Sequence, residues 1–108
     1  MQKTEIFQQE KQKLFEIFKD IDEGKRRLVE GLIGEAAFLT AENFALKQAM
    51  EKTGMVQFHP EKPFLQKTSE GAKQYLKNVN SYAGIVKTLN SILSKHEGEE
   101  EEELGDYE

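Results

Sequence analysis

The sequence predicts an all-α fold, and three observations carry that prediction. Apolar residues recur at alternating steps of three and four along most of the chain, the spacing of one helix face. Both prolines, Pro60 and Pro63, fall in one short segment and leave the rest free of helix breakers. The stretch from Thr68 to His96 keeps its rhythm without interruption, long enough for a rod of roughly 40 Å at 1.5 Å per residue. The expected architecture is a helical hairpin or bundle of three main helices. A proline-containing loop or small hairpin precedes the long C-terminal helix, and an acidic disordered tail follows it. Positions 1–96 make a single helical domain and 97–108 the tail.

The first helix covers positions 4–19. Phe7, Leu14, Phe18 and Ile21 share a face, with Phe15 and Ile17 beside it, and Thr4 is the expected N-cap. Asp20-Ile-Asp-Glu-Gly24 is the first punctuation, where Asp20 or Asp22 can cap a second helix; the sequence leaves open whether the chain bends there. That helix runs from about Asp22 to Thr53 and ends on Gly54. Gly31, Gly34, Ala36 and Ala37 form a patch of small residues, where the tightest helix crossing is expected. From Met55 to Lys67, Val56 and Phe58 alternate with polar residues, and Phe64 and Leu65 return after His-Pro-Glu-Lys-Pro, as a β-hairpin or an apolar loop would have it.

The long helix carries Ala72, Tyr75, Val79, Tyr82, Val86, Leu89 and Leu93 on one stripe, with Thr68 and Ser69 as possible caps. Its own chain is short, so this stripe needs other helices, from this chain or from copies of it. Tyr75, Val79, Tyr82, Val86, Leu89 and Leu93 are therefore the candidate interface of a homo-oligomer larger than a dimer. The opposite face reads Lys73, Lys77, Asn80, Gly84, Lys87 and Ser91, with no acid. Such a face is either a solvated surface or one that meets phosphates.

Charge is divided along the chain. Positions 97–108 hold eight of the 20 acidic residues and none of the 15 lysines and arginines, which leaves a body of +3 and a tail of −8. A block of this kind does not fold alone and commonly competes with an anion for a basic surface or docks on a basic partner. From Met55 to His96, six lysines face only Glu61 and Glu70. Lys25, Arg26 and Arg27 form the densest basic cluster, and Lys62 and Lys67 lie in the proline-containing segment.

Other classes of function find no support. With no cysteine the chain has neither disulfides nor thiolate metal sites, which fits a reducing cytoplasm. His59 and His96, the only histidines, have no second ligand at metal spacing. Met1 to Glu5 lacks the apolar run of a secretory signal, and no apolar stretch approaches the roughly 20 residues that span a bilayer. No phosphate-binding glycine loop, nucleophile elbow or zinc-binding helix motif is present. The expectation is a soluble protein that is not an enzyme and holds no cofactor.

The order of pieces resembles a known family. Lys13-Leu-Phe-Glu-Ile-Phe-Lys-Asp-Ile-Asp-Glu-Gly-Lys is followed by Leu28-Val-Glu-Gly-Leu-Ile-Gly-Glu-Ala-Ala-Phe-Leu39, a helix ending in Thr53-Gly54, and Tyr82-Ala-Gly-Ile-Val-Lys-Thr-Leu-Asn-Ser-Ile-Leu93. Over roughly Lys13 to Leu93 the chain is similar to small terminase subunits of tailed bacteriophages and prophages. The resemblance implies a helical subunit that assembles into rings in the cytoplasm of the bacterial host. It implies binding of double-stranded viral DNA and delivery of that DNA to the terminase large subunit, which holds the ATPase and nuclease. It assigns no DNA-contacting motif, so the candidates come from charge: Lys25, Arg26, Arg27, Lys62, Lys67, Lys73, Lys77 and Lys87. The alternative expectation is a helical oligomeric adaptor that binds proteins and no DNA.

Overall fold

The computed structural model describes residues 2–62 and 64–105, with side chains as far as Gly98. Three helices and one small hairpin follow in the order α1 (Lys3–Ile17), α2 (Glu23–Thr53), β1 (Val56–Phe58), β2 (Gln66–Thr68) and α3 (Glu70–Gly105). The fold is the all-α class expected.

Helix α1 begins two residues earlier than an N-cap at Thr4 would place it. Gln2 is its N-cap, without a side-chain cap bond, and the Ile6 amide donates to the Gln2 carbonyl at 3.1 Å. Thr4 thus lies inside the first turn, because an extra backbone bond is worth as much as a hydroxyl cap. The chain does bend after α1. The Phe18 amide returns to Leu14 at 3.2 Å and the Ile21 amide to Phe18 at 3.1 Å, which tightens the turn. Asp22 sits at the N-cap of α2 with no side-chain bond of its own. Helix α1 then runs antiparallel to α2, tied at its far end by Lys3 Nζ to Glu42 Oε1 at 2.8 Å.

Helix α2 is the central element, since both α1 and α3 lie against it. The shared core is Leu14 and Phe18 of α1, Ile21 of the turn, Val29, Ile33 and Ala36 of α2, and Leu89 of α3. Phe15, Leu32, Tyr82, Ile85, Ile92 and Leu93 pack around it, half-buried. Ile33, Leu89 and Val29 are its largest fully buried side chains. Each contributes about 1.5–3 kcal/mol by leaving water.

The small-residue patch divides in two. Ala36, Ala37 and Ala41 are buried and form the close packing surface of α2. Gly31 faces solvent, and a methyl group built on Gly31 or Gly34 would meet nothing within 4 Å. The crossing expected at all four residues is made by the alanines, which share the core face with Val29 and Ile33. Gly54 ends α2 as expected: its φ of +76° suits glycine, and its amide donates to the Met50 carbonyl at 2.7 Å.

The segment between α2 and α3 is a hairpin, with Val56 opposite Thr68, Gln57 opposite Lys67 and Phe58 opposite Gln66 in an antiparallel pair. Its turn is held by His59, whose Nδ1 accepts from the amides of Glu61 and Lys62, both at 3.1 Å. Thr68 belongs to β2, so Ser69 alone caps α3: it is buried, and its Oγ accepts from the Ala72 amide at 3.1 Å.

Helix α3 runs antiparallel to α2, with Gly71 next to Leu46 and Asn78 bonded to Asn43. Equal rise along the two helices puts Glu23, at the start of α2, level with about Gly98. Beyond that level α3 continues as helix to Gly105, through most of the acidic block expected to be disordered. Elongation of an existing helix is cheap and glutamate is a good helix former. Positions 106–108 of the expected tail lie outside the described residues. The result is a rod of 75 × 27 × 18 Å with a radius of gyration of 19.6 Å, against about 13 Å for a compact chain of this length.

Two substitutions on α2 separate its faces. Ala37→Leu should overpack the buried side and cost about 1–3 kcal/mol. Gly31→Ala, with open space around it, should raise stability by about 0.5–1 kcal/mol. Opposite shifts in thermal midpoint are the expected result; two losses of similar size would place Gly31 in the crossing after all.

Candidate functional site

The outer face of α3 is built as its spacing predicts. Lys73, Lys77, Asn80, Gly84, Lys87 and Ser91 are all exposed. Lys73 reaches Glu70 at 3.2 Å, one turn away and open to water, a pair of little net strength. Lys77 and Lys87 have no ion-pair partner among the described residues. Lys77 and Lys87 stand about 15 Å apart along the axis, so this face presents a short ladder of cations on a rigid support.

The structure does not gather the eight candidate cations into one patch. Lys62 and Lys67 are exposed on the hairpin, at the same end of the rod as Lys73 and Lys77. Lys25, Arg26 and Arg27 sit on the first turns of α2, at the opposite end, level with the C-terminal part of α3. Arg26 is occupied by Glu23 at 3.1 Å, Lys25 is half-buried and Arg27 is exposed. The usable set is therefore Lys62, Lys67, Lys73, Lys77 and Lys87. The unbroken helix α3 also keeps the acidic block away from this set, because 97–105 extend the helix beyond Lys87 and do not fold back over Lys73.

The candidate oligomer residues fall into two groups. Leu89 is buried in the core of its own chain, and Tyr82 and Leu93 pack around that core. Tyr75 and Val86 are half-buried, and Val79 is 39% exposed. The buried side of α3 is turned toward Asn78, Ile85 and Ile92, which the expected stripe left on its flank or outside it. The reason is polar: Asn78 is buried, donates to Asn43 Oδ1 at 2.9 Å and accepts from Gln74 at 2.8 Å. A buried amide with partners is acceptable in a core, and it draws α3 round by part of a turn.

The hairpin is the most apolar exposed element. Met55, Val56, Phe58, Phe64 and Leu65 are all exposed, Phe64 to 77%. All six strand residues are exposed. His59 belongs to this element as the acceptor of its turn.

No protein-family model, no curated protein and no solved structure matches the chain. Among the described residues, no helix is long and apolar enough to cross a membrane, and no group of three His, Cys, Asp or Glu side chains is placed to hold a metal ion.

One site was not foreseen from sequence. A groove of about 510 Å³ separates α1 from α3, lined by Ile6, Glu10, Lys13, Leu39, Phe44 and Val79 among others. Across it the Tyr82 hydroxyl donates to Glu10 Oε1 at 3.2 Å, while Glu10 Oε2 pairs with Lys13 at 3.0 Å. Burial and then the neighbouring Glu10 carboxylate push the Tyr82 phenol above its ordinary value of 10.0. The bond to Glu10 holds the Lys13 ammonium above its ordinary value of 10.5. No spacing rule links position 10 to position 82.

The Tyr82 shift has a signed consequence. The folded chain holds the phenol protonated more tightly than the unfolded chain does. Its contribution is therefore intact below about pH 10 and is lost as pH rises through the folded value. In an alkaline absorbance titration of the tyrosines, Tyr82→Phe should remove a component raised above the ordinary value of 10.0. The same substitution should flatten the loss of stability above about pH 10.

Proposed function

We propose that this chain is a DNA-engaging small subunit of a phage terminase, without chemistry of its own, that works as a homo-oligomer in the cytoplasm of a bacterial host. In this reading it binds double-stranded viral DNA and passes it to the large ATPase and nuclease subunit. The observation that carries the reading is the exposed lysine face of α3, with Lys73, Lys77 and Lys87 on one continuous helix and Glu70 the one acid beside them. Lys62 and Lys67 extend that face onto the hairpin. The resemblance of Lys13 to Leu93 to small terminase subunits supplies the biological setting.

The geometry suits the phosphate backbone better than base edges. Lysines are point charges on flexible stems, and the face holds no arginine or glutamine fork to read a base pair. Binding is accordingly non-specific and dependent on salt, with any sequence preference left to DNA shape or to other subunits.

A second reading, a protein-only adaptor, is favoured by the exposed apolar hairpin. Gel-shift titration of duplex DNA at two salt concentrations separates the two. The terminase reading expects weak binding that weakens steeply with salt, with slope near −0.9 per phosphate contact. Replacing Lys73, Lys77 and Lys87 together by Ala should flatten that slope by up to about 2.7 if each lysine meets one phosphate. DNA affinity that ignores all three substitutions favours the adaptor.

A further inference from the structure

Helix α3 carries two apolar seams, and its own chain covers one of them. The covered seam is Asn78, Tyr82, Ile85, Leu89, Ile92 and His96, buried or half-buried along its length. The second is Leu76, Val79, Ala83, Val86, Asn90 and Leu93, turned from the first by about 100°. Its steps alternate three and four, the pattern of a helix-pairing seam. Leu76 is 49% and Val79 39% exposed, Ala83 and Asn90 are exposed, and Val86 and Leu93 are half-buried. The opposite flank of α3, Gln74, Ser81, Thr88 and Lys95, is polar and exposed. The apolar character of the second seam is therefore confined to one side.

We propose that two copies of this chain pair through the second seam, α3 against α3 and antiparallel, about a two-fold axis between Ala83 and Val86. Leu76 of one copy then meets Leu93 of the other, Val79 meets Asn90, and Ala83 meets Val86. A two-fold contact of this kind uses the same patch on both copies and closes on itself.

Charge decides both the occupant and the direction. Glu97 and Glu99–Glu103 put six carboxylates at one end of α3, and Lys67 and Lys73 stand at the other end. Antiparallel pairing about the stated axis sets residues 97–102 of each copy level with residues 72–67 of its partner. That level holds Lys67 and the electropositive N-terminus of α3, with Glu70 its one acid, already paired with Lys73 one turn on. A parallel pair would allow one Asn90–Asn90 hydrogen bond. It would also align six carboxylates with six, a cost that one bond does not offset. A uniformly acidic foreign helix would be repelled by the acidic extension, and a uniformly basic one by the lysine end; an antiparallel second copy presents the opposite charge to each end. The seam spans roughly 25 Å with six residues on each copy, a size that suits a reversible pair rather than an obligate one.

This pairing rests on the self-association in the proposed function and is independent of DNA binding. The chain has no cysteine, so Val79→Cys and Asn90→Cys each introduce a single thiol on the surface. The two variants, full length, are mixed in equal amounts, mildly oxidised and analysed by peptide mass spectrometry. The expected result is a 79–90 mixed disulfide in excess of both homodisulfides, with a light-scattering mass of a dimer or a multiple of it. Homodisulfides in excess overturn the antiparallel direction while leaving self-association standing, and so does a paired protein that forms no mixed disulfide. A monomer at high micromolar concentration overturns the pairing and the self-association together, whatever the gel shift shows. As a check on the surface, Ala83→Lys should abolish pairing with unchanged far-UV circular dichroism; assembly that survives it overturns the seam.

Discussion

Ile33 is the side chain on which the three helices converge. It is fully buried, and the residues around it come from every helix: Leu14 and Phe18 from α1, Val29 and Ala36 from α2, Leu89 from α3. A chain of this length has few apolar residues to bury, so one cluster must anchor both outer helices on α2. Everything functional hangs on that anchoring. Because Leu89 is drawn inward, Lys77 and Lys87 are turned outward on the same helix. Because α1 and α3 meet mainly through α2, a groove is left between them, bridged by Tyr82 and Glu10. The alanines of α2 make the arrangement possible by letting both neighbours approach its axis.

Much of this was legible in the sequence, and the part that was not has a common cause. Periodicity located all three helices, and Gly54 marked the end of α2; the punctuation at Asp20–Gly24 left the bend open, and the segment around the prolines fitted a hairpin or an apolar loop equally well. The spacing also put Lys73, Lys77 and Lys87 correctly on the outer face of α3. Periodicity finds a stripe, but it does not choose the centre of a wide one. Val79 and Asn78 are adjacent, and hydrophobicity favours Val79, yet the inward place goes to Asn78 because Asn43 waits on α2 to receive it. Pairings between distant positions, such as Lys3 with Glu42 and Tyr82 with Glu10, leave no mark on local spacing. The scatter of the basic residues was hidden for the same reason: Lys25 to Arg27 and Lys62 to Lys77 read as one basic character along the chain but occupy opposite ends of the molecule.

The polar interior is economical. Asn43, Asn78 and Gln74 satisfy one another, and Ser69 caps the helix it precedes. Each removes a buried group that would otherwise cost stability, and together they specify how α3 lies along α2 without adding hydrophobic area. His59 does comparable work in the hairpin turn, where its ring stands in for the side-chain caps that asparagine or aspartate supply elsewhere.

The helical continuation of α3 to Gly105 has an electrical consequence. A flexible acidic tail would spread its charge around the body and shrink the molecule's far field toward that of a simple anion. Held on a rod, the same charge is kept at one end, with the hairpin lysines at the other, so the protein is a permanent electric dipole tens of ångströms long. Near any polyanion such a dipole feels a torque before it makes contact, and the torque turns the hairpin end forward and the glutamates away. The bias belongs to low salt: at physiological ionic strength the screening length is about 8 Å, far shorter than the 75 Å rod, and each end is then felt separately.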